Sequence, residues 1–185
     1  MKKITLNYWG IILLIFIASF SRLVPHIPNF TPVGAIALFG GAYFKDKSYA
    51  FLIPIFSLFV SDLIINNLFL NNFSQEFTLI YPGFYWQYFS FILIILIGIF
   101  GLNKFNFNKL LICIIGSSLV FFIITNFGVW FSGTMYSKNI IGLVSCYIIA
   151  IPFYKATLLG FLIYSFLLFG IAELFKSTRL ANYNR

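Results

Sequence analysis

Apolar residues gather into six runs, at about 6–22, 32–44, 48–71, 86–101, 109–127 and 156–175. Each is closed by Pro, Asn, Lys or another group that is costly in hydrocarbon. A spanning helix takes roughly 20 apolar residues, so the runs fit membrane-crossing helices joined by short connections. The pattern predicts an all-α integral membrane bundle of six transmembrane helices, a single domain over residues 1–185. The second run is short, but its start is marked. Thr31 can cap the first amides, and Pro32 can occupy the first helical position, where a missing N–H does no harm. The stretch 128–155 (GVWFSGTMYSKNIIGLVSCYIIAIPFYK) is less apolar at its start and carries Gly133, Gly142 and Pro152. It reads as a long outer loop with a re-entrant or interfacial helix. The alternative is a seventh span at 139–154, which is slightly short for the task and would carry the C-terminus to the outer side.

Composition strengthens this reading. The chain is 61% hydrophobic and 9% charged, whereas a soluble domain is nearer half apolar and about a quarter charged. Lipid is therefore the expected solvent. The net charge of +8 does not point to nucleic acid, because the 12 basic residues are scattered in ones and twos with no continuous basic face. They read as topology signals. With six spans, Lys2, Lys3, Lys45, Lys47, Lys104, Lys109, Lys176, Arg179 and Arg185 fall on one side, and Arg22, Lys138 and Lys155 on the other. Basic residues concentrate on the cytoplasmic side, so both termini are expected there, in a multi-pass protein of a bacterial inner (plasma) membrane. Lys2 and Lys3 before an apolar run resemble a signal peptide, but no small-x-small cleavage site follows, so an uncleaved first span is expected. Cys113 and Cys146 have no spacing that would make a disulfide framework or a metal cluster.

Ionisable groups inside spans are expensive and invite a functional reading. Asp62, in FSLFVSDLIINNLF, lies roughly 21 Å along its helix from Ser48, in the outer half of the membrane. Asn66 follows one helical turn later. The same depth argument places Arg22, Thr31, Trp86 and Asn126 at the outer ends of four other spans. Outer loops add His26, Asn29, Gln87, Tyr88, Trp130, Thr134 and Tyr136. This asymmetry predicts an outward-opening pocket for a small molecule, lined by Arg22, Asn29, Thr31, Asp62, Asn66, Trp86, Asn126, Trp130 and Tyr136. Blander readings compete at each position. Arg22 and Asp62 make a structural ion pair, His26 is an interfacial loop residue, and Trp86 and Trp130 belong to an aromatic belt. Gly34, Gly40 and Gly41 allow close helix approach.

No HExxH, GxSxG or P-loop motif is present, and the acidic residues Asp46, Asp62, Glu76 and Glu173 do not pair in sequence as an acid and a base. The chain is read as a non-enzyme, with no cofactor and no metal. The accompanying expectation is that its partners are membrane lipid and an outer-side ligand, not nucleic acid.

The segments SRLVPHIPNFTPVGAIALFGGAYF and TNFGVWFSGTMYSKNIIGLVSCYIIAIPFYK, with SDLIIN and YWQYFSF, resemble an uncharacterised family of small bacterial membrane proteins over nearly the whole chain. In architecture the chain also resembles the substrate-binding S components of energy-coupling factor (ECF) vitamin transporters. That resemblance implies a vitamin-like ligand near the outer face and a transmembrane coupling protein driven by ATPases. The first span departs from the pattern, with Gly10 and Ala18 but no AxxxA-like seam. The alternative is a structural or accessory membrane protein with no ligand.

Overall fold

A computed structural model describes residues 4, 8–24, 27–69, 77–103 and 106–183, with the side chains of 8, 11–12 and 175–183 left out. The described residues form six α-helices: α1 (Tyr8–Leu23), α2 (Val33–Tyr43), α3 (Lys47–Ile64), α4 (Phe84–Gly101), α5 (Phe107–Ser132) and α6 (Ile140–Tyr183). A π-helical turn, Ile65–Phe69, continues α3. Among the described residues there is no strand, only a lone bridge between Ile4 and Phe44. Four stretches are long and apolar enough to cross a membrane: Lys47–Phe69, Phe84–Gly101, Phe107–Ser132 and Ile140–Leu174. The protein is an all-helical membrane protein.

Local chemistry explains most boundaries. The Asp46 carboxylate accepts the Ser48 amide at 2.8 Å and opens α3, and the Asn106 side chain accepts the Lys109 amide at 3.2 Å and opens α5. Before α4, Tyr81-Pro82-Gly83-Phe84 forms a tight turn closed by the Phe84 amide on the Tyr81 carbonyl at 3.1 Å. Gly83 sits there at φ 94°, a conformation that glycine adopts without strain. At the end of α5, the Lys138 ammonium gathers the carbonyls of Trp130, Phe131 and Gly133, a cation on an otherwise unsatisfied helix C-terminus.

Two boundaries differ from the sequence pattern. Thr31 does not cap α2: Pro32 is the cap residue and no side chain bonds the first amides. The stretch 128–155 is helical except for 133–139, because α5 runs to Ser132 and α6 begins at Ile140. The Asn139 side chain accepts the Gly142 amide at 2.8 Å and starts α6. Pro152 then lies inside the helix without ending it. Proline removes one backbone donor, a loss that helices in membrane proteins tolerate.

Packing defines the bundle. α5 and α6 form an antiparallel hairpin, registered by Phe107 on Phe166 at 5.8 Å, Ser118 with Tyr154 at 3.3 Å and the Tyr147 hydroxyl on the Ile123 carbonyl at 2.7 Å. α2 is the central element, buried along nearly its whole length and packed on α3, α4, α5 and α6. At about 1.5 Å per residue its 11 residues cover only about 17 Å, which suffices because protein rather than lipid surrounds it. α1 packs chiefly on α3. The Ile4 amide donates to the Tyr43 carbonyl at 2.7 Å, and the Tyr43 hydroxyl donates to Glu173. Ile4, the end of α2 and the far part of α6 therefore meet at one end of the bundle.

The backbones of α2 and α4 approach closely. A methyl group added at Gly98 would stand 2.3 Å from the Leu38 carbonyl oxygen, and one at Gly41 would stand 2.4 Å from that of Ile95. Gly98→Ala and Gly41→Ala are each expected to destabilise by about 1–3 kcal/mol, read as a lower thermal midpoint of the detergent-solubilised protein. Gly170→Ala, whose methyl meets nothing within 4 Å, should leave the midpoint unchanged or raise it. Equal behaviour of the three would contradict the close approach.

Candidate functional site

A charged cluster sits at the end of the bundle opposite Ile4 and Glu173. Arg22, on the last turn of α1, places one terminal nitrogen 2.7 Å from Asp62 Oδ1 on α3, with side-chain exposures of 16% and 8%. The same nitrogen donates to Ser61 Oγ at 2.5 Å and to the Leu58 carbonyl at 3.3 Å. The other carboxylate oxygen, Asp62 Oδ2, accepts the hydroxyls of Tyr88 on α4 at 3.0 Å and of Tyr81 at 3.1 Å. Burial first, then the adjacent Asp62 carboxylate and the bond to it, raise the Tyr81 hydroxyl above its ordinary pKa, with Arg22 opposing. Tyr81 thus stays protonated and keeps donating. Asn67 anchors the segment leading to this turn: its side-chain amide donates to the Thr78 carbonyl at 2.9 Å, and its side-chain carbonyl accepts the Thr78 amide at 2.7 Å.

Beside this cluster lie two cavities. The larger, about 200 Å³, has Gln87, Thr125, Asn126, Tyr154 and Thr157 among its walls, and the smaller, about 150 Å³, has Arg22, Thr31, Gly34, Ile65 and Phe161. Asn29, Gln87, Phe121 and Thr157 line both, so the two spaces adjoin. Each alone is smaller than the ~300–1,000 Å³ usual for ligand sites, and only the pair reaches its lower end. An open apolar depression of about 580 Å³ between α3 and α4 is larger, but its walls are mostly Phe, Leu and Ile; such a surface suits lipid. Two glycines shape the adjoining cavities. Gly34 lets the Phe161 ring lie against α2, where a methyl would stand 2.2 Å from it, and Gly160 lets the backbone of Phe30 and Thr31 lie on α6. Phe30 also packs on Tyr164 at 5.4 Å. Asn29, at the crest of this loop, adopts φ 66°, a left-handed conformation that asparagine tolerates better than most residues.

Of the residues singled out from sequence, Arg22, Asn29, Thr31 and Asn126 line the cavities. Asp62 stands behind Arg22 and orients it. Asn66 lies on the π-turn, where Ile65 lines the cavity instead, because the wider turn alters the one-turn spacing. Trp86 packs on Gly128 and donates from its indole to Ser132 Oγ at 3.1 Å. Trp130 donates to the Ser137 carbonyl at 2.9 Å, with the Lys138 ammonium 5.8 Å from its ring centre. Tyr136 is half-buried in the 133–139 connection and lines neither cavity. His26 lies outside the described residues. The sequence pattern did not single out Thr125, Tyr154, Thr157 or the tyrosine grip on Asp62. Tyr81 was findable from its place before Pro82-Gly83, a turn that had to project something toward α3. Thr157 had no signal, since a threonine in an apolar run most often bonds its own helix, as Thr157 also does to the Phe153 carbonyl at 3.1 Å.

Asp62→Ala would leave a largely buried guanidinium without its counter-ion, a loss of about 3–5 kcal/mol. Tyr88→Phe removes a single hydrogen bond to a charged acceptor, about 1.5–3 kcal/mol. The expected order of thermal midpoints is wild type, then Tyr88→Phe, then Asp62→Ala. An Asp62→Ala protein as stable as wild type would show that the pair contributes nothing to the fold.

Residues 2–182 match the model of a family described as Family of unknown function (DUF6580), and the chain belongs to that family. No curated protein and no solved structure matches it.

Proposed function

We propose that this member of a family of unknown function is a membrane-embedded small-molecule binding subunit of a transporter, of the S-component kind, taking a vitamin-sized ligand from the outer side. The observation that carries the reading is the pair of adjoining cavities beside Arg22 and Asp62. Their polar walls come from the loop after α1 and from α4, α5 and α6, while apolar surface prevails around the rest of the bundle. A few placed polar groups among aromatic walls are the usual make-up of a ligand site. Binding rather than catalysis suits the cluster, because both Asp62 oxygens are already engaged, one by Arg22 and the other by Tyr81 and Tyr88.

The accompanying topology is six crossings with both ends in the cytoplasm of an inner membrane. Supporting it, Ile4 and Glu173 both reach Tyr43, and Lys45, Lys47 and Lys109 lie at that same end of the bundle. The short α1 and α2 complete the six by running beside longer helices. A coupling protein with ATPases would then supply the energy.

The test is thermal unfolding of the purified protein against a panel of vitamins, nucleobases and cofactor precursors. A ligand that binds only the folded state stabilises by about 2.7 kcal/mol at 100 times its dissociation constant. Gln87→Leu and Thr157→Val should remove the shift, and Trp130→Phe, outside both cavities, should keep it. No shift anywhere in the panel, or one that survives both cavity variants, would sink the proposal.

A second reading has its own support: Arg22 and Asp62 pair with one another and with Ser61, Tyr81 and Tyr88 within the protein, as in a polar core that only ties helices together. A cysteine placed at Asn126 separates the two. Polar thiol reagents reach it through an open cavity and are excluded from a packed core.

A further inference from the structure

On the reading that the adjoining cavities bind a small molecule, we infer that the ligand is an uncharged planar molecule presenting an amide-like edge, a carbonyl beside an N–H, rather than an anion. Charge is the first reason. Arg22 is the cationic residue among the cavity walls, and its charge is matched by Asp62 at 2.7 Å. Seen from the cavity the two form a dipole, not a net positive site. A carboxylate or phosphate entering here would lose its hydration, meet a guanidinium one of whose terminal nitrogens already serves Asp62, Ser61 and the Leu58 carbonyl, and feel the Asp62 charge just behind it.

The remaining polar walls supply the second reason. The side-chain amides of Asn29 and Gln87, on both cavities, form no hydrogen bond within the protein among the described residues, and each offers a donor and an acceptor side by side. That pairing complements a carbonyl next to an N–H and can engage it through two parallel bonds, as carboxamides do with nucleobase edges. A carboxylate offers acceptors only and leaves the amide oxygens facing it. The third reason is shape. Phe121 and Phe122 on α5, Phe91 on α4 and Phe161 on α6 present ring surfaces on which a flat molecule can stack.

Matched pairs sharing a ring test this directly: nicotinamide and nicotinate, benzamide and benzoate, uracil and orotate. Dissociation constants are measured on the purified full chain by equilibrium dialysis at neutral pH, with thermal midpoints in parallel. The uncharged member of at least one pair is expected to bind about tenfold or more tightly than its acid. In Asp62→Asn, Arg22 keeps its charge without a counter-ion, and the preference within that pair should turn toward the carboxylate. Should that variant fail to fold, the double variant Arg22→Gln/Asp62→Asn, again without net charge, should retain the wild-type preference. Tighter binding of the acids, or of the cation 1-methylnicotinamide, to wild type overturns the uncharged-ligand inference and leaves the binding reading standing. Binding of none of these probes by a folded preparation counts against both.

Discussion

A guanidinium at the end of a membrane helix needs an answering charge from the protein, and in this bundle Asp62 provides it for Arg22 at 2.7 Å. The register of several elements follows from that contact. α1 is tied to α3 by the ion pair and by serines below it: Ser19 donates to the Ser57 carbonyl at 3.1 Å, and Ser61 holds the guanidinium at 2.5 Å. Asp62 then uses its second oxygen to draw in Tyr81 and Tyr88, which brings the turn before α4 and α4 itself to the same level. Arg22, Asp62, Tyr81 and Tyr88 thus meet within a few ångströms, beside the cavity that Arg22 lines.

The wall opposite depends on the absence of side chains. α2 reaches α4 through Gly41 and Gly98, and it takes the Phe161 ring against Gly34. Small residues let backbones approach closely where lipid supplies no hydrophobic drive for helix association. Because α2 is enclosed by its neighbours, its length is released from the bilayer thickness. The irregular loop before it lies on Gly160 of α6 and carries Asn29 and Thr31 to the cavity. The loop is thereby part of the site's scaffold as well as of its lining.

The two ends of the bundle differ in chemistry. At one, Lys47 donates to the carbonyls of Gly41 and Phe44 at 2.6 and 2.8 Å, closing α2, and Tyr43 meets Glu173. At the other, the tyrosines, carboxamides and threonines gather, and Lys138 is spent on the end of α5. Lys47 at the first end serves a helix terminus. The polar groups at the second converge on a space.

Apolar run length by itself determined that this is a helical membrane protein, since 61% hydrophobic residues in runs of about 20 have no other solvent. Rise per residue also converts position into distance and put Arg22, Thr31, Trp86 and Asn126 at one depth; in the structure Arg22 and Thr31 line one cavity, Asn126 the adjoining one, and Trp86 neither. Periodicity could not say that α6 begins at Ile140 and continues through Pro152, since a proline and glycines read as breaks when the packing of α5 against them is unseen. Nor could it turn Trp86 and Trp130 away from the cavity or bring Thr157 into it. Those assignments depend on which way each helix is rotated about its axis, and that rotation is set by contacts between residues far apart in the chain: Gly128 under Trp86, Gly34 under Phe161, and Asp62 between Arg22 and two tyrosines.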